Sequence, residues 1–180
     1  MNPLAIAAVA RPGVAFRIVP DPDADELVLH GGGEVLRLPL TAEAVRRHAL
    51  LVSALPALAP RLPVAVPRPR YVGVLADGST PFLAEPRLPG SPLTSVPTGL
   101  AAGQLAGVLA ALREVPEKEA QQWGTPGPAG AGAVLLHGDL RPANLLADPE
   151  RGLLTGIVGW RPRLGLAAAD VEWLGADPLG

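Results

Sequence analysis

Several features that would point to a common class of protein are missing from this 180-residue sequence. It has no cysteine, which excludes a disulfide framework and a thiolate metal site. The net charge of −2 leaves no basic stripe, so we expect no nucleic-acid partner. The apolar run 3–10 is too short to span a bilayer and has no positive residue before it, unlike a signal peptide. We therefore predict a cytoplasmic protein with no membrane partner.

The common glycine-rich nucleotide motifs are absent as well. Neither the P-loop pattern nor the dinucleotide-binding GxGxxG pattern occurs in the chain. The 21 glycines and 22 prolines instead punctuate short apolar runs, and 48% of the residues are hydrophobic. This composition predicts a loop-rich globular protein with enough apolar material for a core.

The first ninety residues predict an antiparallel sheet with one helix. The expected strands are Ala15–Val19, Glu26–His30, Glu34–Leu40, Arg70–Leu75 and Pro81–Ala84. Thr41 is a helix-capping residue, and the helix that follows it is expected to end before Pro56. The break at Glu85–Gly90 predicts a boundary between a first lobe, 1–87, and a second lobe, 88–180.

The second lobe is predicted to carry its chemistry on a strand–loop–strand unit. A helix at Leu100–Leu112 and a loop at Pro116–Gly132 precede this unit, and a short helix at Ala167–Gly175 follows it. Apolar strands at Ala133–Leu136 and Leu153–Val158 flank the polar loop.

The polar loop holds His137, Asp139 and Asn144 within eight residues. An ionised aspartate only accepts hydrogen bonds, so Asp139 can align a hydroxyl hydrogen while the hydroxyl oxygen faces a phosphorus atom. Asn144, five residues further on, can reach a magnesium ion. The loop therefore predicts phosphoryl transfer, and a plain loop-capping network is the alternative.

The segment Leu136–Leu146, followed by Leu154–Trp160, resembles the aminoglycoside phosphotransferase family. That family is part of the kinase-like superfamily, with choline kinases and macrolide phosphotransferases as relatives. The resemblance implies an α+β, protein-kinase-like fold with a small antiparallel N-lobe sheet, one N-lobe helix and a truncated C-lobe. It also implies ATP and Mg²⁺ as cofactors and a hydroxyl group of a small molecule as the acceptor.

The resemblance also assigns roles to individual residues. Asp139 matches the catalytic base, and Asn144 matches the metal ligand. Arg37 stands on the strand whose basic residue holds nucleotide phosphates, and arginine can bind phosphate through two hydrogen bonds. His137 braces the loop, and Arg141 supports it.

The sequence departs from the family pattern at several places. Gly159 stands where the family has a second metal-binding aspartate before the tryptophan, and Gly159→Asp is predicted to raise the affinity for ATP with Mg²⁺. Leu51 stands where a helix glutamate would pair with Arg37. Asp170 is interpreted as a structural residue at a helix start. The shortened second lobe is expected to expose apolar surface that a homo-oligomer or a protein partner covers.

Three hypotheses follow for the function. The first is ATP-dependent transfer of phosphate to a small-molecule hydroxyl. The second is a non-catalytic pseudokinase that binds a ligand or acts as a scaffold, and it predicts binding that is insensitive to Mg²⁺. The third is a truncated, degenerate gene product, which predicts unfolding without a cooperative transition. The sequence does not identify the acceptor.

Overall fold

The computed structural model describes residues 2–20, 25–127 and 132–175. Part of the predicted loop, 128–131, and the end of the predicted second lobe, 176–180, lie outside the described residues. The chain forms two compact units: Met1–Val52 with Pro67–Arg87, and Ser53–Val66 with Leu88–Gly180. Within the described ranges, no helix has the length and apolar character needed to cross a membrane.

The first unit contains a five-stranded antiparallel sheet in the order β1-β2-β3-β5-β4. Its strands are β1 (Arg17–Val19), β2 (Glu26–Gly31), β3 (Glu34–Pro39), β4 (Arg70–Val74) and β5 (Pro81–Pro86). Gly32 and Gly33 both adopt positive φ, which allows the tight turn that joins β2 to β3. One face of the sheet packs in an apolar core formed by Ala7, Leu29, Leu36, Leu38, Leu75, Phe82 and Ala84.

The first two helices of the chain differ from what the sequence predicts. Helix α1 (Pro3–Ala10) was not expected, although Asn2 caps it by accepting hydrogen bonds from the backbone N–H groups of Leu4 and Ala5. Helix α2 (Ala42–Leu58) continues past Pro56, which lacks the N–H that a helix interior needs. Leu55 and Leu58 are both buried, and the packing of this last turn offsets the missing hydrogen bond.

From residue 88 onward, the described residues of the second unit form two small antiparallel sheets and three α-helices. The sheets are β6-β8-β9 and β7-β10, with strands β6 (Ser91–Pro92), β7 (Val134–Leu136), β8 (Leu145–Asp148), β9 (Leu153–Ile157) and β10 (Arg163–Gly165). The helices are α3 (Gly99–Arg113), α4 (Glu117–Trp123) and α5 (Ala169–Gly175). Helix α4 lies inside the predicted loop, where Pro116 is followed by acidic residues that favour a helix N-terminus.

Candidate functional site

The polar loop lies between β7 and β8, as the sequence predicts. A single 3-10 turn, Pro142–Asn144, closes it just before β8 begins. The segment that follows β9 holds both ends of the loop through backbone hydrogen bonds. Arg161 N–H donates to the His137 carbonyl (2.9 Å), and Val158 N–H donates to the Asn144 carbonyl (2.9 Å). The loop is therefore fixed by main-chain contacts that do not depend on its side chains.

The Asp139 carboxylate is the centre of the site. Its Oδ2 atom accepts hydrogen bonds from Arg141 Nη2 and from Asn144 Nδ2, both at 2.9 Å. Asn144 Nδ2 also donates to the Asp139 carbonyl (2.8 Å), and Arg161 Nε lies 4.0 Å from Asp139 Oδ2. The structure thus brings Asp139, Asn144 and Arg141 together. Arg161 joins them and was not predicted, because no family motif marks its position.

The buried ring of His137 is neutral and supports the loop through two hydrogen bonds. Its Nδ1 atom accepts a hydrogen bond from Asp139 N–H (3.2 Å), so the proton belongs on Nε2, which donates to the Val158 carbonyl (3.0 Å). The ring packs against Trp160 with centroids 4.4 Å apart. Complete burial lowers the pKa of His137 to about 3, and the bond to Val158 opposes this shift only in part.

This buried histidine predicts a pH dependence of stability. A base whose folded-state pKa lies below its ordinary value of 6.5 binds protons more readily when the chain is unfolded. The free energy of unfolding should therefore rise with pH between about 3 and 6.5 and level off above that window. The contribution of His137 should reach about 1.4 kcal/mol per pH unit inside the window.

Urea unfolding at several pH values measures this effect. The variant His137→Gln lacks the titrating ring, so its stability should fall less steeply on acidification than that of the wild type. Equal slopes for the two proteins would mean that His137 does not remain neutral in the folded state.

Asp170, in the first turn of α5, supports the same loop from a distant part of the chain. Its carboxylate is fully buried and accepts the backbone N–H of His137 (2.8 Å) and the backbone N–H of Gly138 (2.9 Å). Burial raises its pKa, although the two backbone bonds and the charge of Arg163 oppose the shift. The sequence predicted a structural residue at a helix start, and Asp170 does lie in the first turn of α5. The contacts add that it anchors the polar loop.

Gly159 lies directly beside Asn144. It has a positive φ of 72°, and a Cβ atom built on it would stand 2.5 Å from the Cγ, Nδ2 and Oδ1 atoms of Asn144. The Asn144 amide therefore fills the space where a side chain at position 159 would begin. Absence of that side chain is what lets the amide lie against Asp139.

The residues of the site do not fit a magnesium ion. Mg²⁺ prefers several oxygen ligands and at least one carboxylate, but Gly159 offers none and Asn144 offers a single neutral oxygen. The carboxylate of Asp139 is already engaged by Arg141 and lies near a second guanidinium, that of Arg161. In the described part of the chain, no group of three or more His, Asp or Glu residues could hold a metal.

We therefore expect that an acidic residue at position 159 does not create a magnesium site. This differs from the gain in affinity for ATP with Mg²⁺ that the sequence predicts. Gly159→Asp should lower the free energy of unfolding by about 2–4 kcal/mol, because the Cβ displaces Asn144 and breaks its bonds to Asp139. Magnesium should not shift the melting temperature of this variant.

Gly152 offers a matched control for this substitution. It has a φ of +62°, and a Cβ at this position meets no atom within 4 Å. Gly152→Asp should cost only the backbone strain, about 1 kcal/mol, in the same denaturation assay. Tighter binding of ATP with Mg²⁺ by Gly159→Asp would show instead that Asn144 moves aside without penalty.

Arg37, the predicted phosphate ligand, lies on β3 in the first unit. Its guanidinium is held by two carboxylates, those of Glu26 and Glu85. Leu51 is buried and apolar, so α2 provides no carboxylate at that position. The sequence did not predict the roles of Glu26 and Glu85, because they are strand residues far from any recognised motif.

This fold is similar to that of solved macrolide and aminoglycoside phosphotransferases. The macrolide 2′-phosphotransferase MphH from Brachybacterium faecium has a TM-score of 0.71 and 24% identity, covering 93% of this chain and 74% of that enzyme. An APH(2″) phosphotransferase in complex with GDP and kanamycin has a TM-score of 0.79 and 19% identity, covering 94% and 76%. Aminoglycoside 3′-phosphotransferase type VIII has a TM-score of 0.64 and 20% identity, covering 95% and 80%.

No protein-family profile matches the sequence, and no curated protein matches it either. The structural likenesses establish the fold: the chain has the α+β, kinase-like architecture of aminoglycoside and macrolide phosphotransferases. The predicted fold class is therefore confirmed. The chain spans about three-quarters of the length of those enzymes.

Proposed function

We propose that this protein is a non-catalytic relative of the aminoglycoside phosphotransferases, a pseudokinase-type module that binds its ligand or partner without magnesium. The observation that carries the proposal is the contact of Asn144 with both Asp139 and Gly159. The amide nitrogen of Asn144 donates to the carbonyl and to the carboxylate of Asp139. The position that would supply the metal's carboxylate has no side chain and no room for one.

The electrostatics of the loop support the same conclusion. Arg141 pairs with the carboxylate of Asp139, and Arg161 Nε lies 4.0 Å from it. A divalent cation would have to compete with Arg141 for this carboxylate, whereas in phosphoryl transfer that cation neutralises the charge of the phosphates.

Phosphate transfer to a small-molecule hydroxyl is the second candidate, and one observation favours it. Two buried side chains, His137 and Asp170, still hold Asp139 on a rigid loop. Precise placement of a hydroxyl-orienting carboxylate is a large part of what such an enzyme contributes. In this candidate Asp139 orients the hydroxyl, Asn144 holds Mg²⁺, and Arg37 binds the phosphates of ATP.

Nucleotide binding with and without Mg²⁺ separates the two candidates. We expect thermal shifts with ATP and with GTP to be the same in excess MgCl₂ as in EDTA. We also expect no phosphorylation of kanamycin or of a macrolide by either nucleotide. Solved relatives were crystallised with GDP, kanamycin, and streptomycin with ATP, which makes these compounds the natural probes.

The matching variants are Asp139→Asn and Asn144→Ala. Asp148→Asn, at the end of β8, is a control for the loss of one negative charge. A magnesium-dependent shift with ATP that is lost in the first two variants and kept in the third would contradict the proposal and favour the enzyme. A cooperative unfolding transition of the wild type would exclude the degenerate gene product.

A further inference from the structure

A buried network of charges surrounds Arg37 in the first unit. Arg37 Nε donates to Glu85 Oε1 on β5 (2.9 Å), and Arg37 Nη1 donates to Glu26 Oε1 on β2 (2.6 Å). Both carboxylates are buried, and the arginine side chain is 15% exposed. One guanidinium thus ties the central strand of the sheet to the strand on either side of it.

Helix α2 enters the same network with bases instead of an acid. The second oxygen of Glu26, Oε2, accepts from His48 Nε2 (2.8 Å) and from Arg47 Nη2 (3.3 Å). Arg47 also bonds the carboxylate of Asp25. Between β2 and α2, the strand therefore carries the acid, Glu26, and the helix carries the bases, Arg47 and His48. The family pattern predicts the reverse, a glutamate on the helix and a base on a strand.

The network holds more negative than positive charge. It contains the three carboxylates of Asp25, Glu26 and Glu85 against the guanidinium groups of Arg37 and Arg47. Burial opposes the charged state of Glu26, but its bonds to His48, Arg37 and Arg47 outweigh burial and lower its pKa, so this carboxylate is ionised.

We propose that Glu85 acts as an internal anion that occupies Arg37 and excludes phosphate from it, which makes Glu85 a determinant of ligand specificity in the first unit. A phosphate approaching Arg37 has to displace the buried carboxylate of Glu85. Glu26 holds the guanidinium through Nη1 and keeps it in place, so removal of Glu85 alone would free Nε for an external anion. This inference concerns the first unit only and does not depend on the magnesium question.

Calorimetry with ATP in EDTA tests the proposal. Glu85→Gln has the same shape without the charge, and it should bind ATP about tenfold or more tightly than the wild type, since this variant no longer sets a negative charge against the incoming phosphate. The matched control is Glu34→Gln, another glutamate that pairs with arginine on the same sheet, but at its periphery with Arg11 and Arg70. Its affinity for ATP should stay within about twofold of the wild type.

Two further variants keep the proposal falsifiable if Glu85→Gln is unstable. Glu85→Ser places a small polar side chain at the same position and should show the same gain. Adding Arg37→Gln to either variant should abolish that gain. Unchanged ATP binding by a cooperatively folding Glu85→Gln or Glu85→Ser variant would overturn the proposal. A gain that persists after Arg37→Gln would overturn it as well, because the phosphate would then bind elsewhere.

Discussion

Replacing Asp170 with alanine is expected to lower the free energy of unfolding by about 3–5 kcal/mol, the largest loss we expect from a single polar side chain. Its carboxylate is the acceptor for two consecutive backbone N–H groups, those of His137 and Gly138. Both donors are buried, so water cannot replace the lost acceptor and each is left unsatisfied. Urea denaturation followed by tryptophan fluorescence measures the loss.

Asp148→Ala is the matched control for this prediction. Asp148 also accepts two backbone N–H groups, from Glu150 and Arg151, but in an exposed turn where water substitutes for the carboxylate. Its loss should cost about 1 kcal/mol or less. Asp170→Asn keeps one acceptor oxygen and should fall between the two. Similar losses for Asp170→Ala and Asp148→Ala would show that burial does not make the Asp170 contacts stronger.

Glu26→Ala is the second substitution with a large expected effect: it should lower the free energy of unfolding by about 3–5 kcal/mol. Glu26 is the acid that Arg37, Arg47 and His48 share, and its removal deprives all three side chains of this buried hydrogen-bond partner. Glu85 and Asp25 still pair with the two arginines, so the unit should remain folded at neutral pH with a lower melting temperature. Thermal unfolding followed by circular dichroism checks this result.

The pH dependence of Glu26 provides an independent measurement. Its folded-state pKa lies below the ordinary value of 4.5, so its contribution is present above that value and is lost as the pH falls through the folded-state pKa. The wild type should therefore lose stability on acidification below about pH 4.5, and Glu26→Ala should lose less. Glu43→Ala, which breaks an exposed pair with Arg46, should cost under about 0.5 kcal/mol. Parallel acid profiles for wild type and Glu26→Ala would contradict the assignment.

Local sequence signals predicted much of the fold around the site. The alternation of apolar runs and turn residues located the strands of the first sheet and the strand–loop–strand unit of the second unit. The loop residues Asp139, Asn144, His137 and Arg141 lie within a few positions of one another, so their proximity follows from a tight loop. The two missed helices also carried signals: Asn2 before Pro3, and Pro116 before two acidic residues.

The contacts that set the chemistry of the site could not be predicted in this way. Asp170 reaches the loop from 33 residues away, and Glu85 reaches Arg37 across 48 residues. The periodicity of the sequence does not predict such pairings. It can indicate that a charged group is buried and needs a partner of opposite charge, but not which residue that partner is. Which partner that is depends on the register of the strands and on which face of α2 carries Arg47 and His48.

The sequence by itself determined the polar loop at 137–144 and a glycine, which has no side chain, at position 159. Local chemistry was sufficient for both, since they depend on residue types at fixed short spacings. Only the tertiary structure showed what surrounds that glycine. A Cβ at this position would stand against the Asn144 amide, whose nitrogen donates to Asp139, so Asn144 occupies the space beside Gly159. Space and hydrogen-bond partners in the folded chain, rather than the motif, determine what the loop can bind.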